Sequence, residues 1–343
     1  MHSEKQPRTI LAADIGGTHS RFGLFSLDVT VPPETRLTLV REVRFATTDS
    51  RDTAEMMHTL ASLPGDDGGF FTPKSPAPVR VDSAVFGIPG PTAVANPAFA
   101  PPPDEVCHCP NIAWPLEAAS VTAALDGTPV RFINDFVANG FACALLPHLI
   151  DAVTVLEGTG RPHFPRAVVG AGTGLGHCLV LPGNPPAAIG AEAGHALFAF
   201  TAEDAAVARR IFEVSGLERI KNETVVSGSG LALLYACVTG KKPHPHEAPA
   251  LAAANPEVLA LAARFYGRAV CHFVLNTLAL GGVFITGGLA ANLPQLLTHP
   301  EFAAEFRTRN AMADILAPVP VMHVRNHVLG LWGAAACASL QFR

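Results

Sequence analysis

Short runs of apolar and β-branched residues alternate along this chain with segments of helical periodicity, an arrangement typical of an α/β protein. The predicted strands are residues 9–14, 83–88, 130–133, 167–169, 283–286 and 319–324. The predicted helices are residues 53–63, 115–125, 136–146, 205–214, 256–278 and 329–340. Stretches rich in Pro and Gly or in alternating His and Pro, at 64–78, 89–103 and 240–249, predict loops.

Two segments of the chain repeat one plan. The sequence ILAADIGGTHSRFGLF begins at Ile10, and AVVGAGTGLGHCLVL begins at Ala167. Each contains an apolar strand, a turn of glycine and threonine, and a second apolar strand. Two such hairpins in two halves of one chain predict a duplicated α/β unit, with both turns facing a shared cleft.

Length and charge narrow the class of protein. At 343 residues the chain exceeds the length at which a single core usually stops growing, so two lobes are expected. Hydrophobic residues make up 49% and charged residues 15%, which excludes a largely disordered chain. The net charge is -5 and the basic residues are scattered, so we expect no nucleic-acid partner.

Membrane and metal signals are weak. The most apolar stretch, 270–293, is interrupted by polar residues and glycine pairs, so it predicts a helix followed by a strand and no membrane partner. The start MHSEKQPRTI lacks the apolar core of a signal peptide, and seven unpatterned cysteines favour a reducing compartment, so a cytoplasmic location is expected. Cys107, His108 and Cys109 suggest metal ligands, but they are too tightly spaced for the usual zinc geometry.

The tip of the first repeat contains Asp14, Gly16, Gly17 and Thr18. Glycines let backbone N–H groups approach phosphate oxygens closely, and a nearby carboxylate can hold Mg²⁺, usually through water. A plain hairpin turn with glycine at positive φ explains the same residues equally well.

The tip of the second repeat contains Gly172, Thr173 and Gly174, in a segment that offers more backbone donors to an anion. Leu175 stands where a dinucleotide-binding fingerprint needs its third glycine, and no P-loop motif is present, so both of those sites are excluded.

A third glycine site, the pair Gly287 and Gly288, ends a buried strand. It suits backbone that passes beneath a flat ligand such as adenosine. Close strand–helix packing is the alternative explanation.

An apolar strand delivers Asn134 and Asp135 to the start of a predicted helix. Asp135 either caps that helix or, at a strand end in a cleft, accepts the proton of an attacking hydroxyl, as phosphoryl transfer requires. The residues themselves leave both roles open.

A group of polar residues lies further along, among small residues. Glu192, His195 and Glu223 carry the acceptors and donors that bind a polyol, although exposed loop charge is the alternative. Residues 227–230, Ser-Gly-Ser-Gly, predict a turn after them.

Taken in order, the motifs DIGGT, INDF, GAGTGLG, E-x-G-H and SGSGL resemble the bacterial glucokinase family, within the superfamily of actin, sugar kinases and heat-shock ATPases. The resemblance extends from Leu11 to Ala335. It implies a two-lobed, duplicated ribonuclease-H-like (actin-like ATPase) fold with an interlobe cleft that sugar binding closes. The small lobe would comprise residues 1–146, completed by a C-terminal helix at 327–343, and the large lobe 147–326.

The resemblance also implies ATP-dependent phosphorylation of glucose at O6, with Mg²⁺ and a homodimeric assembly. Asp135 would be the catalytic base and would contact the sugar, and Asp14 would hold Mg²⁺, through water. The further sugar ligands would be Asn111, Asn134, Glu192, His195 and Glu223. The ATP-binding residues would be Asp14, Gly16, Gly17, Thr18, Gly172, Thr173, Gly174, Gly287 and Gly288.

Some positions depart from the family pattern. Ala191 and Ala193 stand where the family usually has glycine, and His19 stands where Asn is common. Another hexose or an amino sugar is therefore an alternative substrate. A catalytically silent sugar sensor is the alternative of a different class, since fold alone does not establish activity. The presence of Asp14 and Asp135 favours an enzyme, because a sensor needs neither a metal carboxylate nor a base.

A related family of sugar kinases, shared with bacterial repressors, carries a Cys-rich zinc motif after its histidine. The residues after His195 here are Ala-Leu-Phe-Ala-Phe, which disfavours that branch.

Overall fold

The computed structural model describes residues 7–32, 35–65, 68–73, 79–93, 100–307, 311–326 and 328–342. Much of the predicted loops at 64–78 and 89–103 lies outside these residues, as do parts of the N-terminal segment and of the C-terminal segment 327–343. The chain forms two compact units. Unit 1 comprises Met1–Ile150, Gly183–Gly190 and His327–Arg343, and unit 2 comprises Asp151–Pro182 and Ala191–Asn326.

The described strands, in chain order, are β1 Arg8–Ile15, β2 His19–Leu27, β3 Leu37–Ala46, β4 Pro64–Gly65, β5 Gly68–Gly69, β6 Thr72–Pro73, β7 Ser83–Ile88, β8 Val106–Cys107, β9 Leu116–Glu117, β10 Val130–Asn134, β11 Ala152–Leu156, β12 Arg166–Ala171, β13 Leu175–Leu181, β14 Ala187–Ala191, β15 Gly282–Thr286 and β16 Val321–Val324. The described α-helices are α1 Thr53–Ser62, α2 Ala118–Ala124, α3 Asp135–Leu145, α4 Ala205–Ser215, α5 Asn222–Val225, α6 Gly228–Thr239, α7 Ala248–Ala253, α8 Pro256–Thr277, α9 Gly288–Asn292, α10 Gln295–Thr298, α11 Pro300–Phe306, α12 Ala313–Leu316 and α13 Leu329–Ser339.

Every predicted strand and helix is present, with ends shifted by at most three residues. The long helix α8 begins as its sequence indicates, because Oδ1 of Asn255 accepts from the Val258 N–H at 3.1 Å and Pro256 takes the first helical position. The turn predicted at 227–230 is wrong. Ser227 instead caps α6, since its Oγ accepts from the Gly230 N–H at 3.0 Å.

In unit 1 the sheet order is β10-β7-β1-β2-β3, with β1 antiparallel to β2 and parallel to β7. Leu11, Ala13 and Ile15 of β1 belong to a core that includes residues of α1 and α2. α13 packs on β1 and α3. It approaches α3 so closely that a Cβ at Gly333 would lie 1.8 Å from the Ala138 carbonyl oxygen. The sheet is therefore buried on both faces, and the carboxyl ends of β1, β7 and β10 lie at one edge.

In unit 2 the strands run β11-β16-β15-β12-β13, with β12 antiparallel to β13 and parallel to β15. The order β16-β15-β12-β13 repeats the order β10-β7-β1-β2 of unit 1, so the predicted duplication is confirmed. The core of unit 2 lies between the sheet and helices that include α6 and α8. Among the described helices, α8 is the one long and apolar enough to cross a membrane, but 72% of its apolar window is buried, as expected of a core helix.

β3 was not predicted. Its residues alternate between partly buried and exposed, and it forms the edge of the unit 1 sheet. Arg and Glu interrupt its apolar positions, so the strand has no continuous apolar run to mark it.

Candidate active site

Asp14 lies near the carboxyl end of β1, where two elements of unit 1 meet it. A Cβ at Gly330, in the first turn of α13, would lie 3.0 Å from Cγ and Oδ2 of Asp14, so glycine allows this approach. Arg21 lies directly across on β2. Burial raises the pKa of the Asp14 carboxyl, and the charge of Arg21 lowers it by less. A cation would restore the charged form of this carboxyl.

Within the described part of the chain, no group of three or more His, Cys, Asp or Glu side chains is arranged to hold a metal ion. A single partly accessible carboxylate such as Asp14 fits a hydrated Mg²⁺, because this ion usually keeps several waters and takes its other ligands from phosphates.

The first glycine turn is fixed by backbone and side-chain contacts within unit 1. The Gly16 N–H donates to the His19 carbonyl at 2.9 Å, and the Thr47 hydroxyl donates to the Gly16 carbonyl at 2.7 Å. A Cβ at Gly17 would lie 2.7 Å from both Cβ and the carbonyl oxygen of Asn111. Asn111, which has φ of 65°, therefore lies against this turn. This close contact is sufficient to require glycine at position 17.

Asn134 ends β10 and caps α3. Its Oδ1 accepts from the Phe136 N–H at 2.9 Å and from the Val137 N–H at 3.3 Å, and its Nδ2 donates to the Gly90 carbonyl at 3.1 Å. These contacts use the amide oxygen and one amide hydrogen. The second Nδ2 hydrogen is the part of Asn134 that a sugar oxygen can use.

Asp135 is the first residue of α3 and is not its cap residue. Its Oδ1 accepts from the Phe136 N–H at 2.9 Å. Burial, and after it the charge of Asp135, raises the pKa of the Cys109 thiol to about 12. Sequence reasoning missed two glycines here: Gly87, where a Cβ would lie 3.8 Å from the Asp135 Cα, and Gly90, whose carbonyl accepts from Asn134. Their signal was a position immediately at the end of a buried strand.

The second glycine turn lies in unit 2. The Gly172 N–H donates to the Gly174 carbonyl, and the Gly228 N–H donates to the Gly172 carbonyl, both at 2.8 Å. A Cβ at Gly172 would meet nothing within 4 Å, so packing does not explain this glycine. A Cβ at Gly174 would lie 3.0 Å from Oε2 of Glu223, which places that carboxylate beside the turn.

The third glycine pair adjoins the second turn. Gly287 has φ of 91°, and a Cβ there would lie 2.5 Å from the carbonyl oxygen of Ala171, the last residue of β12. Gly288 has space, since its Cβ would meet nothing closer than Asn292 Nδ2 at 3.9 Å. Packing therefore requires glycine at position 287, whereas at position 288 there is space for a side chain or a ligand.

Glu192, His195 and Glu223 form one cluster in unit 2. His195 Nδ1 lies 3.1 Å from Glu223 Oε1, and His195 Nε2 lies 3.7 Å from Glu192 Oε2. A Cβ at Gly194 would lie 2.1 Å from the Leu175 carbonyl oxygen, so the turn that carries the histidine is seated directly on β13. The structure thus brings together three predicted sugar ligands of one unit.

Sequence reasoning missed Lys221 in this cluster. Its Nζ lies 3.0 Å from His195 Nδ1 and 3.7 Å from Glu223 Oε1. The only sequence signal was a basic residue two positions before the glutamate. Ala191 and Ala193 both pack against the hydrophobic core of unit 2, so their methyl groups have a packing role.

Comparisons with known proteins show the family and the fold of this chain. The family model described as Glucokinase matches residues 11–341. The chain is 26% identical to a glucokinase of Nostoc sp. and 28% identical to one of Synechocystis sp., and covers 98% and 97% of those proteins with 96% of its own length. The crystal structure of a glucokinase from an Antarctic psychrotroph superposes with a TM-score of 0.75 at 25% identity, covering 97% of this chain and 99% of that one.

Proposed function

The chain belongs to the glucokinase family, with the duplicated actin-like ATPase fold of sugar kinases, and we propose that it transfers the γ-phosphoryl group of ATP to O6 of glucose. Its family makes it a phosphotransferase with an alcohol acceptor. We also propose which residues bind the sugar and the nucleotide, which residue is the base and which one holds the metal ion.

One observation supports the reaction most strongly. Glu223 contacts His195 at 3.1 Å, and its other carboxylate oxygen would lie 3.0 Å from a Cβ at Gly174. The carboxylate that we propose as a sugar ligand thus lies beside a glycine turn of the type that binds phosphate. A sugar hydroxyl held by this carboxylate would be close to a phosphate held by the turn, as phosphoryl transfer requires.

We propose a role for each of these residues, following the glucokinase resemblance. In unit 2, Glu192, His195 and Glu223 bind sugar hydroxyls, Gly172, Thr173 and Gly174 bind phosphate, and Gly287 and Gly288 lie beneath the adenosine. In unit 1, Asn111 and Asn134 contact the sugar, and the turn formed by Gly16, Gly17 and Thr18 binds phosphate through the N–H groups of Gly17 and Thr18, because the Gly16 N–H donates to the His19 carbonyl.

Asp135 is the residue to which we assign the base. A carboxylate at the start of a helix, at the carboxyl end of a parallel strand, can take the O6 proton as that oxygen attacks the γ-phosphorus. Asp14 would hold Mg²⁺ through water, and the ion would neutralise charge on the phosphates. Because the phosphoryl transition state is loose, positioning supplies more of the rate than proton removal.

Location and assembly are also proposals. All seven cysteines are free thiols, which supports a reducing, cytoplasmic location. The glucokinase resemblance supports a homodimer, which light scattering of the purified chain tests directly.

The test of the function is a panel of glucose, mannose, fructose, galactose and glucosamine, with ADP release measured by a coupled assay and the product identified by NMR. We expect the highest kcat/KM with glucose and a product phosphorylated at O6. Higher kcat/KM with another sugar would identify a different hexose kinase. Glucose binding by calorimetry without sugar-dependent ADP release would instead identify a sugar sensor.

A further inference from the structure

Lys221 and His195 are held together by backbone contacts of unit 2. The Phe198 N–H donates to the Ile220 carbonyl, and the Asn222 N–H donates to the Ala196 carbonyl, both at 2.9 Å. Nδ2 of Asn222 also donates to the Ala193 carbonyl at 2.9 Å. These bonds join the segment that carries Lys221 to the segment that carries His195. The two side chains therefore meet on a fixed backbone, although both are about half exposed.

The ammonium group determines which nitrogen of His195 can carry a proton. Lysine has three donors and no acceptor, so an Nδ1 atom 3.0 Å from Lys221 Nζ must present its lone pair. Neutral His195 then carries its proton on Nε2, the nitrogen that faces Glu192 at 3.7 Å.

Glu223 favours the opposite arrangement. Its Oε1 lies 3.1 Å from the same Nδ1 and, as an acceptor, would favour a proton there. Lys221 Nζ also lies at an ion-pair distance of 3.7 Å from this oxygen, so its positive charge balances the carboxylate without the imidazole proton. Without Lys221, the Glu223 carboxylate 3.1 Å away would favour a proton on Nδ1 of His195.

We propose that Lys221 is a positioning residue that keeps the proton of His195 on Nε2, where it is donated to a sugar hydroxyl bound beside Glu192. The charged groups that face the imidazole are Lys221, Glu192 and Glu223. The sugar contact rests on the proposed function, whereas the position of the proton does not.

The test compares Lys221→Met and Lys221→Arg with the unchanged chain, and uses Lys241→Met as a matched control in an exposed segment. The ring ¹⁵N shifts of His195, assigned with a His195→Gln variant, are measured without sugar at pH 8.5, where histidine is ordinarily neutral. We expect the Nε2–H tautomer in the unchanged chain, the arginine variant and the control. We expect the Nδ1–H tautomer in Lys221→Met.

Kinetics supply the second readout. Lys221→Met should raise the KM for glucose by about tenfold, as expected for one lost hydrogen bond, and change kcat by less than about twofold. Lys221→Arg should restore much of the affinity. An unchanged tautomer in Lys221→Met overturns the proposal, and so does an Nδ1–H tautomer in the unchanged chain. If the tautomer changes as expected but the unchanged chain neither binds nor phosphorylates glucose, the proposed function fails and the positioning role stands.

Discussion

The side chain of Asn134 caps α3, so the next residue, Asp135, is not the cap of this helix. Asn134 Oδ1 accepts from two backbone N–H groups of the first turn, while Asp135 stands at the first helical position. From the sequence, Asp135 was equally suited to be the cap or the base. The structure gives the cap to Asn134, although Oδ1 of Asp135 also accepts from the Phe136 N–H, so the capping role and the proposed base can be tested by separate substitutions.

Asp135→Asn should leave the fold and glucose binding intact and reduce kcat by a factor of about 10² to 10⁴, the usual contribution of a general base. The amide keeps the shape of the side chain but cannot accept the O6 proton. Calorimetry with glucose and the coupled ADP assay measure the two effects separately. Turnover near that of the unchanged chain would show that Asp135 is not the base.

Asn134→Ala should lower the free energy of unfolding by about 1 kcal/mol, because the first turn of α3 loses its cap. Asn134→Asp should recover most of that stability, since aspartate caps as well as asparagine does. Both variants should bind glucose more weakly, because neither retains the amide hydrogens. Urea denaturation and calorimetry give the two quantities. Equal stability of the alanine variant and the unchanged chain would contradict the capping role.

Gly172→Ala and Gly287→Ala form a matched pair in unit 2. A Cβ at Gly172 meets nothing, so the first variant should remain as stable as the unchanged chain but raise the KM for ATP by about tenfold. At Gly287 the Cβ would lie 2.5 Å from the Ala171 carbonyl oxygen at positive φ, so the second should lose about 3 kcal/mol or more of stability. Unchanged kinetics for Gly172→Ala would argue against phosphate at this turn.

Asp14→Asn should keep or raise stability while greatly reducing Mg²⁺-dependent turnover. Burial raises the pKa of Asp14, which means that the folded chain disfavours the charge that the amide removes. Thermal melts and ADP release across a Mg²⁺ titration measure the two effects. Asp104→Asn, at an exposed position, is the control. A variant with the normal Mg²⁺ requirement would rule out the metal role.

Acid should destabilise the chain through His177, a 2% exposed side chain in β13 that packs on Phe273. Burial lowers its pKa from 6.5 to about 4, with a smaller opposing effect from the Leu175 carbonyl. Between these pH values the unfolded chain binds a proton that the folded chain does not. The contribution of neutral His177 to the free energy of unfolding is therefore fully present above pH 6.5. It decreases by up to about 3 kcal/mol as the pH falls to 4.

Urea denaturation at pH 7.5, 5.5 and 4.5 tests this dependence. His177→Phe keeps an aromatic ring on Phe273 and should reduce the loss of stability in acid, whereas His148→Phe, at an exposed position, should not. An identical pH dependence for the unchanged chain and His177→Phe would show that another group is responsible.

Local pattern in the sequence was sufficient to predict most strands of the two large sheets, several helices including α8, and the two hairpins, because periodicity and capping residues act over a few neighbours. Asn255 and Pro256 mark the start of α8 in this way. The edge strand β3 and the helix α6 were missed, since a charged edge strand lacks an apolar run and the Ser-Gly-Ser-Gly segment at the start of α6 is typical of both turns and helix starts. Which of these is realised depends on what packs against the segment.

By itself, the sequence determined the α/β class, the duplication and the family, since these depend on the order and spacing of residues along the chain. The tertiary structure decided which glycines are required by packing, because their neighbours, such as Asn111 at Gly17 and Ala171 at Gly287, are distant in sequence. It also made Asn134 the cap of α3 and brought the side chain of Lys221 into contact with that of His195. Side-chain contacts of this kind arise from folding, which brings together segments that no local pattern connects.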